Sequence, residues 1–136
     1  MKRFALLSAV ALMFASAVFA PVAVAQEAGE VDVKSVTLGP GGSVTVTGTI
    51  ECVEGYYYYG NVDVRQKTGG NVYNTLGLNF NGYCETSGPT AFTASGFSDR
   101  PFHRGPATVR ASSTLYPPDF SFSLNWTGDI QAVNIR

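Results

Sequence analysis

Ser43-Val44-Thr45-Val46-Thr47-Gly48-Thr49-Ile50-Glu51-Cys52-Val53 decides how this chain folds. Val44, Val46, Gly48, Ile50 and Cys52 share one parity; Ser43, Thr45, Thr47, Thr49 and Glu51 share the other. Successive side chains of a strand point to opposite faces, so the alternation predicts a strand with one buried and one wet face. β-Branched residues suit such a pleated, half-buried surface. Cys52 falls on the apolar parity, which places its sulfur in the core or at its rim.

Reading outward, the same period recurs on both sides. Upstream, Gly39-Pro40-Gly41-Gly42 reads as a turn, preceded by an edge strand through Val31, Val33 and Val36 to Leu38. Downstream, Glu54-Gly55 turns the chain into Tyr56 to Lys67. There Tyr56, Tyr58, Gly60, Val62, Val64 and Gln66 oppose Tyr57, Tyr59, Asn61, Asp63, Arg65 and Lys67. Thr68-Gly69-Gly70-Asn71 predicts a hairpin turn into Val72 through Phe80. Asn81-Gly82 predicts a second one, since both residue types accept the positive φ of a type I′ turn. A polar stretch, Glu85 to Pro89, leads to a strand at Thr90 to Phe97, and Ser98 to Pro106 reads as a longer loop. Ala107, Val109 and Ala111 alternate up to Tyr116-Pro117-Pro118. Phe120, Phe122, Leu124 and Trp126 alternate again, and Ile130 to Ile135 closes the chain. Helical spacing is missing after residue 25. The expectation is an all-β antiparallel sandwich of about seven to eight strands, with no internal repeat.

The ends bear on compartment. Lys2 and Arg3 precede an almost unbroken run of Ala, Leu, Val, Phe and Met to Ala25, and Ala23-Val24-Ala25 has the small-x-small form of a cleavage site. Residues 1–25 therefore read as a signal peptide and 26–136 as one domain, located outside the cell, in the periplasm or at the envelope exterior. Cutting after Ala20 is disfavoured because Pro21 would stand at the scissile bond. Residues 26–136 carry seven basic and ten acidic side chains, a balance of about −3, which argues against the clustered cations of a nucleic-acid surface. No later stretch is apolar and long enough to span a bilayer, and no Cys follows the cleavage site to carry a lipid. The only cysteines, Cys52 and Cys84, read as a disulfide in an exported chain.

Short elements carry a resemblance. Gly48-Thr49-Ile50-Glu51-Cys52, Val62-x-Val64-x-Gln66, Cys84, and Phe102-x-x-Gly105-x-Ala107-x-Val109-x-Ala111 resemble a family of small secreted bacterial proteins described as Ig-like and without an assigned function. The resemblance implies an Ig-like β-sandwich and an exported location, and it carries no catalytic residue across. The cysteine spacing departs from antibody-type domains, whose bridge joins strands B and F across a longer separation. Here the bridge is expected to tie the second strand to a loop beyond the middle hairpin.

Little is available for chemistry. His103 is the only histidine, and Gly96-Phe97-Ser98-Asp99-Arg100 lacks the second glycine of a nucleophile elbow. One His and two bridged Cys cannot build a tetrahedral zinc site. Glu51 and Glu85 flank the two cysteines and form the one carboxylate pair conceivable for glycoside hydrolysis. Glu30 with Asp32, or Asp129, offers sparse calcium ligands. No catalytic residue, metal or cofactor is assigned. Asn125-Trp126-Thr127 matches a glycosylation sequon but lies in a strand pattern, and Gln66, on the apolar parity, is expected as a buried amide bonded to backbone. Tyr56-Tyr57-Tyr58-Tyr59 stands out. Tyr57 and Tyr59 should lie about 6.6 Å apart on one face, where they form a platform for sugar rings or a protein partner, unless all four tyrosines pack against the flanks of the sandwich end or neighbouring loops. Arg100 and Arg104 bracket Phe102 and His103 in a loop that reads as pinned to the core by Phe102 with solvated arginines, the alternative being a binding tip. The functional expectation is a non-enzymatic recognition or structural domain with a protein or polysaccharide of the envelope as partner. The alternatives are a carbohydrate-binding module using Tyr57 and Tyr59 and, behind it, a small hydrolase.

Overall fold

The computed structural model describes residues 26–136; the expected leader and its cleavage site lie outside the described residues. Eight strands form: β1 Val31–Leu38, β2 Ser43–Cys52, β3 Tyr57–Gly69, β4 Val72–Tyr83, β5 Gly88–Phe97, β6 Gly105–Tyr116, β7 Leu124–Thr127 and β8 Gln131–Ile135. They make an antiparallel sandwich. Sheet A has the order β1-β2-β5; sheet B has the order β4-β3-β6, with β7 and β8 sharing the far edge of β6.

Period-two patterning sets the layers. In β2, Val44, Val46 and Ile50 are completely buried while their Thr neighbours stay half-exposed. In β3, Tyr58, Val62, Val64 and Gln66 face in, and Tyr57, Tyr59, Asp63 and Arg65 face out. β1 changes parity midway: Val31 and Val33 are buried and so is Val36, because the register shifts between Val33 and Ser35. A bulge supplies the extra residue that keeps both halves on the core. Phe80 of β4 and Phe92 of β5 stack across the interior with ring centroids 3.9 Å apart, joining the two sheets along one side. On the other side, the backbone of Arg136 exchanges hydrogen bonds with Val36 and Leu38, so the chain end seals β8 against β1.

Cys52 and Cys84 are bridged, with their Cα atoms 5.5 Å apart and both residues buried. The bond links the end of β2 in sheet A to the segment just after β4 in sheet B, so it staples one sheet to the other. Beside it, Cys84 donates its N–H to Tyr56 O and accepts from Gly55 N–H, which fixes the turn leading into β3.

Two expectations need correction. Asn81-Gly82 is not a turn: both residues lie within β4, opposite Tyr59 and Tyr58 of β3. Gly82 is used for its missing side chain, since a Cβ there would collide with the Tyr58 ring. Gly60 serves in the same way under Phe80. Aromatic rings laid over cross-strand glycines fill the gap that the glycine leaves. The second correction concerns Phe120 and Phe122, which do not extend the last strands. Pro117 and Pro118 end β6, because proline cannot donate to a ladder, and a tight turn follows in which Phe120 N–H bonds to Pro117 O at 2.9 Å. Pairing resumes only at Leu124, leaving both phenylalanines exposed.

Candidate functional site

The outer face of sheet B is built in rungs. Tyr57 on β3 stands between Tyr83 on β4 and Tyr116 on β6; one rung along, Tyr59 stands between Asn81 and Thr114, and next Asn61 stands between Asn79 and Ser112. β3 is the central strand of these three, so its outward residues meet neighbours on both sides. Tyr57 is 44% exposed and Tyr59 49%.

The loop that the sequence pattern misread completes the first rung. Phe120 lies parallel to Tyr57, centroids 5.6 Å apart and planes within 13°, while Tyr83 tilts against the same tyrosine at 5.2 Å and Tyr116 meets Phe120 at 5.7 Å. Phe122, from the same loop, makes an edge contact with Tyr56. Tyr57 and Tyr59 thus belong to a larger aromatic group: Tyr57 is engaged by Phe120 and Tyr83, and Tyr59 stands at the edge of the cluster. Phe120 occupies the left-handed region at φ 53°, the one non-glycine residue among the described residues to do so. An aromatic residue there is strained, typically by about 1–3 kcal/mol. The conformation is held from the preceding residue: Asp119 Oδ1 accepts hydrogen bonds from the Ser121 N–H at 3.2 Å and hydroxyl at 2.8 Å. Those bonds favour the carboxylate and pull the Asp119 pKa below its ordinary value. Beneath the cluster, burial pushes the Tyr58 phenol up.

A shallow trough runs from this cluster along the face. A depression of about 500 Å³ among Tyr57, Tyr59, Tyr83 and Phe120 adjoins one of about 300 Å³ at Tyr59, Asn61, Thr114 and Asn125. A third, of about 240 Å³, lies beyond them at Asp63 and Arg110. Its polar groups are held in place. Asn61 Nδ2 donates to Asn79 Oδ1 at 2.9 Å, and Thr114 Oγ1 donates to Asn125 Oδ1 at 2.9 Å. The Arg110 Nε–H donates to Gly128 O at 3.2 Å, and the Arg65 guanidinium sits 4.0 Å over the Tyr73 ring. A surface of exposed aromatics followed by fixed amides and hydroxyls can stack on an apolar ring face and hydrogen-bond to hydroxyls around it. Asn125 of the sequon is one of these side chains, on β7.

Arg100 and Arg104 lie elsewhere, in the loop between β5 and β6 at the opposite end of the sandwich. Phe102 anchors that loop at 4% exposure, and two buried amides fasten its backbone. Gln66 Oε1 accepts from His103 N–H at 2.8 Å while its Nε2 donates to His103 O at 2.8 Å. Asn74 Nδ2 donates to Arg100 O at 2.6 Å. The arginines and His103 are left exposed. Glu51 is half-buried with Oε2 lacking a partner, and Glu85 is exposed. Glu30, Asp32 and Asp129 rim one depression of about 480 Å³, but no three such side chains come close enough to hold a metal ion among the described residues.

Phe120, Tyr83 and Tyr116 join the site without having been singled out in the sequence. Tyr116-Pro117-Pro118-Asp119 held the available signal: a proline pair after a strand followed by an Asx-turn residue marks a loop, and the phenylalanines after it then belong to a surface. Comparison of the chain with protein-family models, with curated proteins and with solved structures finds no match in any of the three.

Proposed function

We propose that this chain is an exported, non-enzymatic recognition domain that binds its ligand on the outer face of sheet B. The observation that carries the reading is the cluster of exposed Tyr57, Tyr83 and Phe120 with half-buried Tyr116, Phe120 being held in a strained conformation. Burial does not require these rings to be there. Strain kept at an exposed aromatic is the usual mark of a contact surface. The strand order, β1-β2-β5 against β4-β3-β6 with β7 and β8, supports the Ig-like reading, and the position of the bridge sets it apart from antibody-type domains.

Among ligands, a polysaccharide suits the face best, because the trough adds fixed amides and hydroxyls to the aromatic end. Affinity electrophoresis through gels containing a panel of soluble polysaccharides tests this. At least one should retard the parent protein, and Tyr59→Ala/Phe120→Ala should lose roughly tenfold or more in affinity, as expected when stacking worth about 1–3 kcal/mol is removed. Equal retardation of parent and variant would sink the aromatic site. If no polysaccharide retards the parent, the ligand assignment fails.

A further inference from the structure

Ionisable side chains sort by the end of the sandwich on which they lie. At the end carrying the disulfide, the β2–β3 turn and the 117–123 loop stand Glu27, Glu30, Glu51, Glu54, Glu85 and Asp119, six of the ten acidic residues of 26–136, with no basic side chain among them. At the opposite end, where β3 turns into β4, the 98–104 loop passes and β8 finishes, stand Arg65, Lys67, Arg100, Arg104 and Arg136. These are five of the seven basic residues, and Asp99 is the one acidic side chain beside them. The only side-chain ion pair among the described residues, Lys34 with Asp32, runs along β1 and neutralises neither set.

Each charged end also exposes apolar surface. Phe97 is 71% exposed and Val72 50% at the basic end; Phe122 is 51% exposed at the acidic end. Apolar residues rimmed by charge are the composition of an association surface.

We propose that copies of this chain associate head to tail, the acidic end of one seated on the basic end of the next. Two surfaces of opposite sign at opposite poles of one molecule match each other in a second copy. A two-fold dimer through either pole would bring like charges together, which the electrostatics oppose. The remaining arrangement is heterologous, and contacts at opposite poles of the molecule extend it copy by copy as an open chain unless the rotation between copies closes a ring. This goes beyond ligand binding on sheet B, because it uses the poles; the 117–123 loop is the one segment common to both surfaces.

Sedimentation velocity of the purified protein tests it at about 20 mM and about 0.5 M NaCl, where charges are weakly and strongly screened. The weight-average sedimentation coefficient should rise with concentration at low salt and fall to the monomer value at high salt. Arg100→Glu/Arg104→Glu and Glu54→Lys/Glu85→Lys all change exposed residues, and circular dichroism checks that each variant keeps its fold. Each variant should associate less than the parent when alone at low salt, and mixing the two should restore one contact per pair, since the first keeps its acidic end and the second its basic end. Tyr59→Ala, on the outer face and outside both poles, should assemble like the parent, which separates this proposal from the ligand site. A monomer at low salt up to about 1 mM, or assembly indifferent to salt or to reversal of either pole, overturns the proposal. A monomer that instead binds polygalacturonate through Arg100 and Arg104 also overturns it, in favour of an acidic polymer as the partner of that end.

Discussion

Tyr58 lays its ring over Gly82, its register partner on β4, and Phe80 lies over Gly60 on β3 in the reciprocal arrangement. The two pairs interlock large with absent side chains along one strand pair, which lets a close-packed interior accept two aromatic rings where β3 and β4 run side by side. Any Cβ at position 82 must displace the Tyr58 ring, which is itself buried beneath the aromatic cluster. Gly82→Ala should therefore lose about 1–3 kcal/mol of stability through overpacking, read as a lower urea midpoint with an unchanged slope. A variant as stable as the parent would show that the ring moves freely. The sequence displayed Asn81-Gly82 as a turn because local propensity speaks first; the need to seat Tyr58 outweighed it. Phe120 makes the complementary point. Its alternation with Phe122, Leu124 and Trp126 mimicked a strand, and only the proline pair with the Asp119–Ser121 bonds explains why two of those four residues left the ladder.

The second strand, the segment after the fourth and the bond between them form the element-scale unit. Cys52 closes β2 and Cys84 follows β4, so the bridge confines about 33 residues that include β3, β4 and the turn between them. In the chain-entropy account such a loop is worth roughly 3.7 kcal/mol. Cys52→Ser/Cys84→Ser should accordingly lower the melting temperature by about 15 °C or more for a domain of this size. An unchanged calorimetric transition would show the bridge to be energetically idle. The pairing was legible in the cysteine count; that it joins the sheets was not, because alternation tells which face a residue takes but not which strand becomes its neighbour. β7 and β8 belong to the same scale. The sequence separated them at Thr127-Gly128-Asp129, yet both pair with β6, one on each half of it.

Across the whole molecule, three of the six strand pairings join strands that are not consecutive in the sequence. β2 pairs with β5 and β3 with β6, and the C-terminal residue bonds to β1. Closing such loops costs entropy before the contacts repay it, so folding should take milliseconds to seconds, as for other sandwiches. Stopped-flow fluorescence of Trp126, the single tryptophan, is the measurement; completion within microseconds would contradict the topology. The sequence by itself determined the all-β class and the inward and outward residues of β2 and β3, which follow from a repeat of two within one segment, and the cysteine pair, which follows from the count; it left open whether Tyr57 and Tyr59 are exposed. Only the tertiary structure decided the order of strands, the role of Gly82, the recruitment of Phe120, Tyr83 and Tyr116 to Tyr57, and the separation of charge between the two ends. Those depend on which distant segments come to lie side by side, and periodicity within a segment holds no information about its partner.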